Sequence, residues 1–323
     1  MKNIKKILTL SALLALTLTG CTDNKDKSDC SDGCKIFTTT PIELKIACPN
    51  GAPALSLYGH LSEENVEIIA ADIVQGYMTD TANKDIVILP TNFGIKQIVT
   101  DHVNFKIAAT VTFGNFYLLS TGADEDSTLN NGDKVLAFQK PVAGKIFEYV
   151  YSDLTLDIVY KANAKLVNDQ IIEPTETFDY DYVLLAEPFV SQIINLKENY
   201  SVYSNIQEQY ALKSGGKSIA QASIFVKNTA DQEKAKNVLS TLKKDIDKLL
   251  SDSSYLLSAT KNLEVPFVTS KIQGTPEFVK SLIDNNNSIG IGYKNAFDNK
   301  DNIDAFLQTL GMGQTSEEIY FRA

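Results

Sequence analysis

Side chains able to hold a small molecule gather at the ends of short apolar runs in this chain. Asn50-Gly51-Ala52 follows residues 42–48. Thr91 and Asn92 follow Asp85-Ile-Val-Ile-Leu-Pro90. Gln139 and Lys140 follow the run that begins at Lys134, and Glu187 follows residues 178–186 and precedes Pro188. In open α/β sheets, ligands lie beyond the carboxyl ends of the strands, where helix N-termini offer backbone N–H groups. Gly51 lets a ligand approach the backbone closely, or it serves a plain strand-to-helix turn. Asn92 supplies two donors and an acceptor group to a ligand, or caps the helix that follows. Lys140 is the cation placed to hold an acidic ligand, or is simply solvated. Glu187 accepts from an amino or ring N–H group, or complements a helix dipole. An amide-rich set with one acid and one base suits a small polar or heterocyclic solute better than a bare inorganic anion.

Enzyme chemistry lacks the residues it needs. His60 falls in a helical stretch and His102 in a Thr-Asp-His-Val turn, and both read as surface or packing residues. No G-x-S-x-G, H-E-x-x-H or P-loop occurs, and Gly290-Ile-Gly292 lacks both the context and the third glycine of a dinucleotide fingerprint. The chain is therefore read as a non-enzyme with neither cofactor nor metal. Its net charge of −10 and its single arginine, Arg322, disfavour nucleic acid, which needs clustered cations. Cys30 and Cys34 either pair or stay free, and their spacing is no zinc pattern. Cys48, in an apolar strand, is expected to be a small buried residue.

The chain's start carries an address. Lys2, Lys5 and Lys6 precede an apolar run that closes on Leu18-Thr19-Gly20-Cys21. This resembles a signal peptide ending in the lipobox of bacterial lipoproteins, which implies cleavage after residue 20, lipidation of Cys21 and an extracytoplasmic protein tethered to the bacterial cell membrane by acyl chains. The Asp-, Lys- and Ser-rich residues 21–40 read as a flexible tether.

The elements that must position the site alternate between strand and helix, which argues for parallel βαβ units. The long run 105–120, broken at Gly114-Asn115, reads as a strand passing between two bodies, and residues 218–227 as the return path. Residues 231–250 form a helix with one apolar face, at Val238, Leu239, Leu242, Ile246, Leu249 and Leu250, followed by shorter helices at 276–284 and 302–310.

Three segments carry a family resemblance. Ile46-Ala-Cys-Pro-Asn-Gly-Ala-Pro-Ala-Leu55, Asp85-Ile-Val-Ile-Leu-Pro-Thr-Asn92 and Asp181-Tyr-Val-Leu-Leu-Ala-Glu-Pro-Phe-Val190 stand in the order found in extracytoplasmic solute-binding proteins of ABC importers. Among these, the chain is similar to the group that includes the alkanesulfonate/taurine and thiamine-pyrimidine-precursor binders. The resemblance implies the α/β, type II periplasmic-binding fold: two lobes joined by two crossing strands and closing on a ligand by a hinge motion. It places the first lobe at 41–112 and 227–323 and the second at 113–226. Phe113 and Asn115 then lie where the first crossing strand passes the cleft, where an aromatic ring either covers a ring-shaped ligand or packs the hinge. The implied partners are a small-molecule solute, heterocyclic or sulfonate-like, and a permease and ATPase on separate chains. The absence of tryptophan and the presence of Cys48 keep the ligand from being borrowed from the best-known members. The competing readings are a surface sensory or adhesion lipoprotein and, behind it, an enzyme on the same fold.

Overall fold

The computed structural model describes residues 37–122, 128–174 and 177–322. The signal sequence, Cys21, Cys30 and Cys34 lie outside the described residues. In chain order the strands are β1 (Ile46–Pro49), β2 (Val66–Ile69), β3 (Ile86–Pro90), β4 (Phe105–Phe113), β5 (Phe116–Ser120), β6 (Lys134–Phe138), β7 (Asp157–Lys161), β8 (Tyr182–Ala186), β9 (Ser201–Asn205), β10 (Ala220–Lys227) and β11 (Ile291–Asn295). They form one sheet in the order β11-β4-β10-β3-β1-β2 and a second in the order β7-β6-β8-β5-β9. β1, β2 and β3 are mutually parallel, as are β6, β7 and β8, which matches the βαβ reading.

Alternation explains why β3 is apolar throughout. Val87 and Leu89 enter a core that continues into the second sheet, while Ile86 and Ile88 enter a separate core under the C-terminal helices. A strand covered on both faces loses the polar alternation of a half-exposed one. The helix Gln232–Ser251 begins at Asp231, whose side chain accepts from the N–H groups of Glu233 and Lys234. It buries Val238, Leu239, Leu242, Ile246 and Leu249, but Leu250 remains 41% exposed. One step of about 100° past Leu249 carries that residue off the apolar stripe.

Two boundaries differ from the sequence reading. β10 lies wholly in the first sheet, so the return crossing precedes Ala220 and is not at residue 226. At the start of the chain, Phe37 packs on Tyr58 with ring centroids 4.9 Å apart, and Thr39 bonds the side chains of His60 and Asp245. Residues 37–40 thus dock on the first lobe, where the sequence suggested tether. β9, β11 and the helices Ala164–Ile172, Ile206–Lys213, Ser254–Thr260 and Val265–Ile272 were not foreseen.

Candidate functional site

Strand direction places the carboxyl ends together. β10 runs antiparallel to both β3 and β4, so β3 and β4 point the same way and end at one edge, with Pro90 and Thr112 both paired to Ala222. In the second sheet Phe116, at the start of β5, pairs with Ala186, at the end of β8. Gly114 and Asn115, the link between β4 and β5, therefore join the carboxyl edge of one sheet to that of the other. This junction is narrow. A Cβ on Gly290, whose φ is +72°, would stand 2.1 Å from the Phe113 carbonyl oxygen. Glycine is needed there so that the Phe113 N–H can donate to the Gly290 carbonyl at 2.8 Å. From the second sheet, the Tyr117 hydroxyl donates to the Ser288 carbonyl at 3.2 Å.

Asn115 and Glu187 form the centre of the junction. The Glu187 N–H donates to the Asn115 carbonyl at 3.0 Å, and Asn115 Nδ2 donates to the Glu187 carbonyl at 3.2 Å. Both residues are buried, at 3% and 5% exposure. The Glu187 carboxylate accepts from the Ser191 N–H at 3.1 Å and the Ser191 hydroxyl at 2.8 Å, so its alternative role at a helix start is realised. Burial raises the Glu187 pKa, against the lowering effect of hydrogen bonds from Ser191 and Ser288. Burial, then the charges of Glu187 and Glu208, push Tyr117 up to about 12.

Four buried oxygens along these edges have no hydrogen-bond partner: Asn92 Oδ1, Thr112 Oγ1, Asn115 Oδ1 and Gln221 Oε1. Most buried polar groups in folded proteins find a partner, so a cluster of acceptors left without one is a candidate place for a ligand or water to bond. Asn92 does not cap its helix, because Pro90 holds that position and no side-chain cap bond forms.

No family model matches the sequence, and no curated protein matches it. Solved structures do. An ABC transporter protein from Parabacteroides distasonis superposes with a TM-score of 0.64 at 15% identity, over 85% of this chain and 94% of that one. The ligand-binding component of an ABC-type import system from Staphylococcus aureus, crystallised with zinc, gives 0.61 at 11% identity, over 88% and 97%. The periplasmic aliphatic sulphonate binding protein of Escherichia coli gives 0.57 at 10% identity, over 88% and 93%. The fold is that of the two-lobed periplasmic solute-binding proteins.

On this binding-protein fold the other expected residues separate. Thr91 Oγ1 is committed to Ser223 Oγ at 2.7 Å, and Ser223 also meets Thr110 Oγ1 at 3.1 Å. Gly51 keeps a positive φ of +93°, but its N–H donates to the Lys271 carbonyl at 2.8 Å and the Gln273 side chain lies over it. Asn50 is half-buried and Ala52 buried at the same sheet edge. The Phe113 ring rests on Gly292 with Lys294 Nζ 5.2 Å from its centroid. Gln139 is exposed and left-handed, with φ +48°. Lys140 is exposed, with Nζ 5.4 Å from the centroid of the Tyr160 ring, and no hydrogen bond or ion pair joins it to Asn115 or Glu187 among the described residues. Gln221, Thr112, Gln273 and Ser288 were missed. The first two lie one residue inside strand ends that the sequence did locate.

Proposed function

We propose that this chain is the solute-binding component of an ABC importer, tethered outside the membrane through Cys21, with a small polar solute held between its lobes by Asn92, Asn115 and Glu187 and their neighbours. The observation that supports this most is the meeting of two carboxyl edges at Gly114 and Asn115, with buried acceptors left unpartnered beside them. A solute bonded to both edges has more partners when the lobes are closed than when they are open, and that difference drives closure. Binding rather than catalysis fits the histidines: His60 is locked in a packed polar cluster, and His102 stands exposed in a turn. Among the described residues no helix is long and apolar enough to cross a membrane, so the reading assigns the permease to another chain.

The test is lobe closure. Fluorophores on non-natural amino acids at the exposed positions Leu166 and Leu250 would report energy transfer across the two lobes. A panel of pyrimidines, flavins, sulfonates, amino acids and nucleosides is then added to the full chain. A ligand at a hundredfold excess over its Kd also stabilises by about 2.7 kcal/mol, which a thermal scan reads. Closure and stabilisation by one member are expected; an adhesion or sensory lipoprotein would bind without any change in transfer.

A further inference from the structure

The donors and acceptors at the junction define what kind of solute fits it. Asn115 has a fixed orientation, because its Nδ2 already donates to the Glu187 carbonyl at 3.2 Å. Flipping the amide would set two oxygens against each other, so Oδ1 is an acceptor by geometry. That atom is buried and unpartnered, as are Asn92 Oδ1 and Gln221 Oε1. Glu187 adds a carboxylate only 5% exposed. Ser191 supplies two of its bonds, while a carboxylate has about four acceptor positions.

Among the described residues no lysine is hydrogen-bonded or ion-paired to Asn115 or Glu187. Lys271 donates to the Ile68 carbonyl at 2.8 Å, while Lys140 and Lys294 stand over the rings of Tyr160 and Phe113. An anion brought to Asn115 and Glu187 would meet a buried carboxylate and acceptor oxygens to which no cation is bonded, which is unfavourable at low dielectric. The net charge of −10 also concentrates cations around the molecule rather than anions.

We infer that the solute presents N–H donors to Asn115 Oδ1 and the Glu187 carboxylate, as an amine, an amidine or an amino-substituted heterocycle does, and that sulfonates and other anions are rejected. The inference rests on the binding function proposed above and narrows it.

Calorimetric titration of the full chain with cytosine, benzamidine and methanesulfonate, each repeated on the labelled chain for closure, tests it. Cytosine or benzamidine should bind and close the lobes, and methanesulfonate should do neither. Glu187→Gln should weaken that binding about tenfold, the loss of one hydrogen bond to a charged group. Asn115→Leu should do the same, and if that variant does not fold, Glu187→Gln decides. Closure by methanesulfonate alone, or donor binding unchanged in Glu187→Gln, overturns the inference and leaves the binding function standing. Closure by none of the three probes or the wider panel overturns both.

Discussion

Behind β1, His60 and Asp245 close on one another; at the lobe junction, Asn115 and Glu187 do the same, with a different outcome. His60 Nδ1 lies 2.7 Å from Glu63 Oε1 and Nε2 3.3 Å from Asp245 Oδ2. Asp245 also accepts from Thr39 and from Lys248, and its carbonyl accepts from the Tyr58 hydroxyl. Glu63 uses its other oxygen on the Ile42 N–H, and Lys248 reaches the Thr38 carbonyl. None of these side chains has a buried atom left without a partner, whereas the junction leaves four such oxygens along its edges. A satisfied buried network fixes a structure. An unsatisfied one costs stability, and a solute that supplies the missing bonds recovers it. The comparison therefore separates a satisfied clasp on residues 38–42 from a junction whose buried acceptors are left unpartnered.

The strongest way to break this comparison is to remove Asp245. Asp245→Ala leaves His60, Thr39 and Lys248 without their shared partner, and losing one member of a buried pair costs about 3 kcal/mol. Urea unfolding should register that loss, while solute affinity measured by calorimetry at a temperature where the variant is folded should stay within about twofold. A large affinity loss with little change in stability would mean that the clasp, not the junction, is the functional cluster.

Acidity sharpens the contrast, because the clasp favours the charged forms of His60 and Asp245 while burial at the junction favours the neutral form of Glu187. Burial pushes the His60 imidazole down, but hydrogen bonds to Asp245 and Glu63 and their charges outweigh it, so its pKa is raised above the ordinary 6.5. Its contribution to stability is thus full below pH 6.5 and is lost as pH rises through the folded value. Burial raises Asp245, but bonds from His60, Thr39 and Lys248 leave it below the ordinary 3.8, so its contribution is present above 3.8 and lost as pH falls through its folded value. Glu187 is raised above 4.5, so its protonated form favours folding below 4.5, and that advantage fades as pH rises through the folded value. Raising pH above neutrality should therefore destabilise the wild-type chain more than His60→Gln, as seen in paired thermal scans. Equal slopes would remove His60 from the account. Glu63, Asp245 and Lys248 face or adjoin this imidazole; Asp245 is held low and so stays charged over that interval, and the neighbouring Tyr58 hydroxyl is pushed up by burial.

What the sequence made legible follows from how each region is stabilised. Asp85-Ile-Val-Ile-Leu-Pro90 reads as a doubly covered strand because burial on both faces leaves a run of apolar residues, and it is one. Edge strands carry no such run: β9 is Ser-Val-Tyr-Ser-Asn, and β11 holds Gly292 so that the Phe113 ring can lie against it. At the candidate site, Asn115 and Glu187 could be named from the sequence because both sit beside identifiable strand ends. Gln221 and Thr112 could not, because a polar residue inside a strand end looks like ordinary surface alternation. Only pairing with a distant strand shows it to be enclosed. His60 was read as a surface or packing residue and is buried, but its partner Asp245 is 185 positions away, and no local pattern links them.

The smallest expected effect is the most discriminating. Lys140 is the cation that the sequence offered to an acidic ligand, and the structure holds it exposed over the Tyr160 ring with no link to the junction. Exposed side chains away from specific contacts contribute within about 0.5 kcal/mol. Lys140→Ala should therefore change neither stability nor solute affinity by more than about twofold, measured by the same scans and titrations used for Glu187→Gln. If the ligand were an anion held by this lysine, the order would invert: Lys140→Ala would cause the larger loss, and Glu187→Gln, by removing a buried negative charge, would improve binding. The two substitutions together thus read the sign of the ligand's charge before the ligand itself is known.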